Sequence, residues 1–131
     1  MKKTGLLNQA LSNVIAGMGH MDTLCVCDAG LPIPMSIKRI DLAVSKSVPK
    51  FLDVLDAVLG EIQIEGAIIA EELEQASPEM YKSMMTRLQG VNVQVVSHDK
   101  FKQQTHRAKA IARTGEFTPY ANVILIAGVV F

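Results

Sequence analysis

The sequence predicts a layered α/β fold in one domain spanning residues 1–131. Three observations carry that reading. Strand-like runs within Thr23 to Cys27, Ile62 to Ala70 and Asn122 to Val130 are apolar on both faces, the mark of strands covered on both sides. Stretches with apolar residues at helical spacing separate them. The size suits one core: 131 residues, 49% apolar and 20% charged, is ordinary for a folded domain and wrong for a disordered chain. Right-handed crossovers then put helices on both faces of the sheet.

Leu7, Ala10, Leu11, Val14, Ile15 and Met18 recur at helical spacing, and Gly17 and Gly19 stop that helix. Thr23 to Cys27 reads as a strand ending at Asp28. The loop Ala29-Gly30-Leu31-Pro32-Ile33-Pro34 follows, its two prolines barring regular pairing. A second strand is predicted over Arg39 to Val44. A helix entered at Ser47 or Pro49 carries Phe51, Leu52, Leu55, Val58 and Leu59 and closes at Gly60. Ile62 to Ala70 contains a third strand. Ser77 is predicted to cap the next helix, with Pro78 at its first position; Tyr81, Met84, Met85 and Leu88 form its stripe, and Gly90 ends it. Val91 to Val96 is a fourth strand, Asp99 to Arg113 a helix stopped at Gly115, and Asn122 to Val130 a final, central strand.

Composition excludes several classes of function. The formal net charge is zero, which removes long-range attraction to nucleic acid or anionic membranes and favours self-association. The lysines at positions 2 and 3 are not followed by the apolar stretch of a signal peptide, and Val123 to Phe131 is far short of the roughly 20 residues that span a bilayer. A cytoplasmic location is expected. Cys25 and Cys27 share one face of a strand, poorly placed for a disulfide and too few for a zinc site, so they read as small buried apolar residues. No phosphate loop, dinucleotide fingerprint, nucleophile elbow or calcium-loop spacing occurs.

In open α/β sheets ligands sit beyond the carboxyl ends of strands. Asp28 and His98 occupy such positions. The residues alone leave their roles open. Asp28 is either a turn-stabilising carboxylate or a group that orients a hydroxyl or takes a proton. His20, between Gly19 and the first strand, is either a bonded loop histidine or a proton donor active near neutrality. His98, Lys102 and His106 follow one helical stripe, which lines a pocket or faces solvent. Tyr120 and Asn122 are able to hydrogen-bond sugar hydroxyls, or to pack a sheet edge and satisfy a turn.

Read together, the motifs resemble a known family. Lys3-Thr4-Gly5-Leu6-Leu7-Asn8, Gly19-His20-Met21-Asp22, Asp28-Ala29-Gly30-Leu31-Pro32-Ile33-Pro34, Ser97-His98 with Phe101-Lys102, Arg113-Thr114-Gly115-Glu116 and Pro119-Tyr120-Ala121-Asn122 are similar, in this order, to the D-ribose pyranases. L-fucose mutarotases are related in fold and chemistry. The resemblance implies a three-layer α/β/α arrangement with a mixed, mostly parallel sheet. It implies interconversion of the pyranose and furanose forms of free D-ribose, supplying furanose for phosphorylation. It also implies a homo-oligomer, a decamer of two pentameric rings, without cofactor or metal. By it, His20 is the proton donor, while Asp28, His98, Lys102, Tyr120, Ala121 and Asn122 bind sugar. Three other readings stay open: a mutarotase for another sugar such as L-fucose, a non-catalytic sugar-binding accessory to transport, and, from composition alone, a structural oligomer whose histidines are incidental.

Placement within the sheet raises a geometric question. His20 precedes the first strand and Asp28 comes after it, eight residues that reach about 26 Å when extended. If the last strand runs parallel to the fourth, Tyr120 and Asn122 join His20 at one sheet edge, opposite Asp28 and His98. A single pocket then gathers both groups only across a subunit boundary. An antiparallel last strand, or a tight fold of the 20–24 loop, relaxes that demand.

Overall fold

The computed structural model describes all residues from Met1 to Phe131. Its elements are α1 (Gln9–Ala16), β1 (Thr23–Cys27), β2 (Arg39–Asp41), α2 (Phe51–Leu59), β3 (Ile64–Ala70), α3 (Glu72–Ala76), α4 (Pro78–Arg87), β4 (Asn92–Val96), α5 (His98–Gln104), β5 (Ala110–Arg113) and β6 (Val123–Ala127). A single 3₁₀ turn, Thr105–Arg107, lies between α5 and β5. The six strands form one sheet in the order β2-β5-β1-β6-β3-β4. All run the same way except β6, which is antiparallel to both of its neighbours, β1 and β3. The sheet is thus mixed and mostly parallel.

Period-two alternation divides the interior between the two faces of the sheet. Leu24 and Val26 of β1, Ala67 and Ile69 of β3 and Leu125 of β6 point to the larger core with Leu11, Phe51, Leu55, Leu73 and Met84 of α1 to α4. Cys25 and Cys27, Ile68 and Ile124 point to the smaller core with Phe101 of α5, Ala108 and Leu31. The layers are α1–α4, the sheet, and a thin layer of α5 with the 28–37 loop. Full burial of both β1 faces explains its unbroken apolar run.

The two cysteines are free and buried. Burial first, and then the Asp28 charge, pushes the Cys27 thiol up to about 12. Neither is a nucleophile at neutral pH.

Local signals place most boundaries. The Asn8 side chain accepts a hydrogen bond from Leu11 N and caps α1. Ser97 does the same for α5 through Lys100 N. Ser77 does not cap α4 as predicted: its hydroxyl donates to Pro119 O at 3.1 Å, tying α4 to the loop before β6. Pro78 does open the helix.

The largest departure lies between residues 99 and 113. The predicted helix ends at Gln104, and Ala110–Arg113 form β5 in the sheet interior, between β1 and β2. Alanine is the best helix former, so Ala108, Ala110 and Ala112 read as helix. Tertiary packing overrides that preference, because small side chains fit opposite large ones: Leu24 pairs with Ala110 and Val26 with Ala112. Three smaller corrections apply. β2 stops at Asp41, β6 covers only Val123–Ala127, and the short α3 is an addition.

Candidate functional site

The antiparallel course of β6 resolves the geometric question for Tyr120 and Asn122 and leaves only His20 apart. β1, β4 and β5 deliver Asp28, His98 and Arg113 at their carboxyl ends. β6 runs the other way, so the residues before it, Thr118 to Asn122, arrive at that same end. There they enclose a cleft of about 490 Å³, within the usual size range of small-molecule sites. Asp28, His98, Arg113 and Tyr120 line it, together with Gly30, Pro32, Phe117 and Thr118.

Asp28 is fixed before any ligand arrives. Its Oδ1 accepts from Gly30 N and Leu31 N, both at 2.8 Å. Its Oδ2 accepts from Asn122 Nδ2 at 2.9 Å, and its own backbone N–H donates to Asn122 Oδ1 at 2.9 Å. The turn-stabilising reading of Asp28 is met, and the same bonds leave its carboxylate a rigid acceptor at the cleft. Asn122 is fully buried, lies outside the cleft lining and is bonded to Asp28 through both of its side-chain polar atoms. Ala121 is fully buried as well and holds the turn, its N–H donating to Thr118 O.

Tyr120 occupies the left-handed region at φ 62°, an uncommon conformation for a residue with a Cβ. That conformation brings its ring edge-on to His98, with centroids 5.0 Å apart. His98 is oriented further by near-parallel stacking on Phe101 and by its backbone N–H, which donates to both Glu72 carboxylate oxygens. Its Nδ1 is buried without a hydrogen-bond partner.

Of the helical stripe, His98 and Lys102 share α5 but His106 does not. Lys102 pairs with Asp99 at 2.8 Å and lies outside the cleft lining. α5 ends before His106, which stands exposed in the 3₁₀ turn.

Two cleft residues were not singled out from the sequence. Arg113 donates through Nε to Ala29 O at 3.0 Å and through Nη1 to Asp41, so it anchors the Asp28 loop and places a cation on the rim. Its position at a strand end was invisible while β5 read as helix. Glu116 is buried. Burial raises its carboxyl, but bonds from the Thr118 hydroxyl and from the N–H groups of Phe51, Thr118 and Phe117 outweigh that and hold it below the ordinary range. It fixes the 114–118 loop that walls the cleft.

His20 lies at the opposite end of β1. The five residues of that strand put about 16 Å between the two ends, too far for an imidazole to cross. Its Nε2 contacts Glu65 Oε2 at 3.0 Å. The turn that carries it is closed by Gly19 N–H donating to Asp22 Oδ2, which holds the Asp22 carboxyl below its usual range. Next to His20, Met21 adopts φ 70° and donates its N–H to Ala127 O. His20 borders a second hollow of about 460 Å³ with Met18, Gln63, Gly128 and Phe131. No helix is long and apolar enough to cross a membrane.

The comparisons agree on the kinship of this chain. The model of the RbsD / FucU transport protein family matches residues 1–130. The D-ribose pyranase of Symbiobacterium thermophilum is 53% identical over 131 residues, covering 100% of both chains. That of Geobacillus kaustophilus is 51% identical, covering 100% of this chain and 96% of the relative. Bacillus subtilis RbsD, solved in complex with D-ribose, superposes with a TM-score of 0.97 at 41% identity, covering 100% of both chains. The fucose mutarotase of Streptococcus pneumoniae, solved with L-fucose, gives a TM-score of 0.79 at 23% identity over 95% of each chain, a likeness of fold. The strand order, the full-length match and the agreement at half of all positions lead to one conclusion: this chain belongs to the RbsD / FucU family.

Proposed function

We propose that the chain is an isomerase that interconverts the pyranose and furanose forms of free D-ribose by acid–base ring opening and closure. The observation that carries this reading is the pre-set acceptor cleft at one end of the sheet, with Asp28, His98 and Tyr120 converging on it. The D-ribose pyranase relatives, similar over the whole chain, support the sugar and the reaction.

The reaction needs only proton movements. The anomeric hydroxyl loses its proton as the ring oxygen gains one, and the bond from C1 to the ring oxygen breaks. The open aldehyde rotates. A different hydroxyl then adds to C1 and gives up its proton while the carbonyl oxygen regains one. Asp28 accepts from a sugar hydroxyl, and His98 and Tyr120 bound the ring. His20 supplies the proton, a role typically worth 10²–10⁴-fold.

Within one chain His20 stands at the wrong end of β1, so the active unit takes His20 from a neighbouring copy. A homo-oligomer is required, read as a decamer of two pentameric rings, in keeping with the zero net charge. It works in the cytoplasm and feeds furanose to a sugar kinase.

Magnetisation-transfer NMR on D-ribose tests the reading. The protein speeds pyranose–furanose exchange, and His20→Ala loses that while still binding ribose. His20→Ala and Asp28→Ala, each inactive, recover activity when unfolded together and reassembled, because random mixing leaves about one intact site in four. Absence of faster exchange with the wild-type chain removes the enzyme, and absence of recovery removes the shared site.

A further inference from the structure

Resting on the reading of His20 as the proton donor, we infer that Glu65 is its positioning residue: the carboxylate holds the imidazole by Nε2 and leaves Nδ1 as the nitrogen that meets the sugar. The contact between Nε2 and Glu65 Oε2 is 3.0 Å, and no other side chain or backbone group bonds the ring. An exposed ion pair of this kind contributes little to stability, about 0–1 kcal/mol at most. Stability is therefore a poor reason for the backbone features that create it.

Those features are specific. β3 carries a bulge against β6: Ile64 pairs with Ala127 and Gly66 with Ile126, so Glu65 is the extra residue. Strict alternation from Ala67 and Ile69 would send Glu65 into the larger core beneath the α1–α4 layer. The bulge breaks the alternation: Ile64 packs against that core, and Glu65 is released to the rim beside His20. Across from it, Gly128 N–H donates to Gln63 O. A Cβ at Gly128 would stand 3.2 Å from Glu65 Cβ and 3.3 Å from its N, so glycine lets the bulged backbone approach. On the histidine side, the Gly19–Asp22 turn and the left-handed Met21 fix the 19–22 segment, and Met21 N–H bonds Ala127 O one residue before that glycine. Both partners are thus anchored to the same end of β6, and the pair is set by the backbone of one chain before a neighbour arrives.

A carboxylate on one imidazole nitrogen fixes the ring plane and the tautomer, and it stabilises the cation formed when the other nitrogen takes a proton. The proton on Nε2 stays there throughout. Glu65 does not touch the sugar, and its removal acts on turnover and not on binding.

The test uses the full oligomeric chain. In Glu65→Gln, kcat for ribose exchange falls about 10- to 100-fold, the scale of a misplaced reacting group, while KM stays within about twofold. Glu65→Ala falls further, since glutamine still offers an acceptor. In the His20→Ala background neither substitution costs anything more. Independently of turnover, the His20 Nε2 ¹⁵N resonance moves in Glu65→Gln. Unchanged kcat, a loss carried by KM, an equal loss with and without His20, or an unmoved Nε2 resonance overturns the proposal. The wild-type and His20→Ala rates judge the underlying reading separately.

Discussion

At the carboxyl end of β1, Asp28 is held by Gly30, Leu31 and both polar atoms of a fully buried Asn122. At the amino end, His20 has a single partner and half of its side chain lies open. The first end is finished within one chain. Its acceptor is rigid, its walls are closed by the buried Glu116, and its aromatic pair is set by the left-handed Tyr120. The second end is prepared but uncovered. On the proposed function, hydroxyl partners and proton donor stand at opposite edges of the sheet, and binding and turnover are then separable by mutation.

The sharpest way to break that comparison is at its two poles. His20→Ala is expected to lower exchange about 10²–10⁴-fold with ribose affinity little changed. Asp28→Ala is expected to lose ribose binding itself. Titration by calorimetry beside NMR exchange separates the two, and loss of binding in His20→Ala would contradict the division.

Next in size is Asn122→Ala. It strips the half-buried Asp28 of two hydrogen bonds, each typically worth about 0.5–1.5 kcal/mol and more to a charged group. Thermal unfolding should show a lowered Tm, with ribose affinity falling alongside it, since Asp28 loses its orientation. An unchanged Tm would mean that Asn122 is not what holds the carboxylate.

Acid sharpens the picture of the cleft wall. Glu116 is held below its ordinary value of 4.5 in the folded chain. The unfolded chain then binds more protons as pH falls, so this contribution is present above about pH 4.5 and is lost below it as the folded carboxyl protonates. Glu116→Gln should flatten the fall in stability below about pH 4.5, measured by denaturant unfolding across pH.

The smallest effect is expected at the other face of β1. With the Cys27 thiol raised to about 12, thiol reagents should label the native chain only as fast as it opens. Cys27→Ala should cost on the order of 1 kcal/mol and leave exchange unaltered. Rapid native labelling would show that the strand is not buried on both sides.

How much of this was legible beforehand varies by element. The runs at β1, β3 and β6 and the stripes of α1, α2 and α4 announce themselves, because burial on one or two faces writes a period into the residues. Asp28 and His98 stand out as strand-end polar residues under a general rule of α/β sheets. Arg113 did not, because alanines that fill a tight inter-strand space have the same composition as a helix. Asn122 reads as a sugar contact from the sequence; that it also clamps Asp28 was not legible, because the bond joins residues 94 positions apart. His106 dropped out of the stripe because the length of a helix depends on where the next element must start: the chain has to turn after Gln104 to enter β5.

By itself, then, the amino-acid order determined the layered α/β class, the polar residues at the strand ends and the kinship that the motifs carry, since each is written in local spacing or in short runs. Tertiary structure alone decided the direction of β6, the bulge at Glu65 and the gathering of Tyr120 and Asn122 with Asp28 while His20 stays apart. Strand direction leaves no local trace, because a strand read in either sense buries the same side chains; only hydrogen bonds between residues far apart in the chain choose between them.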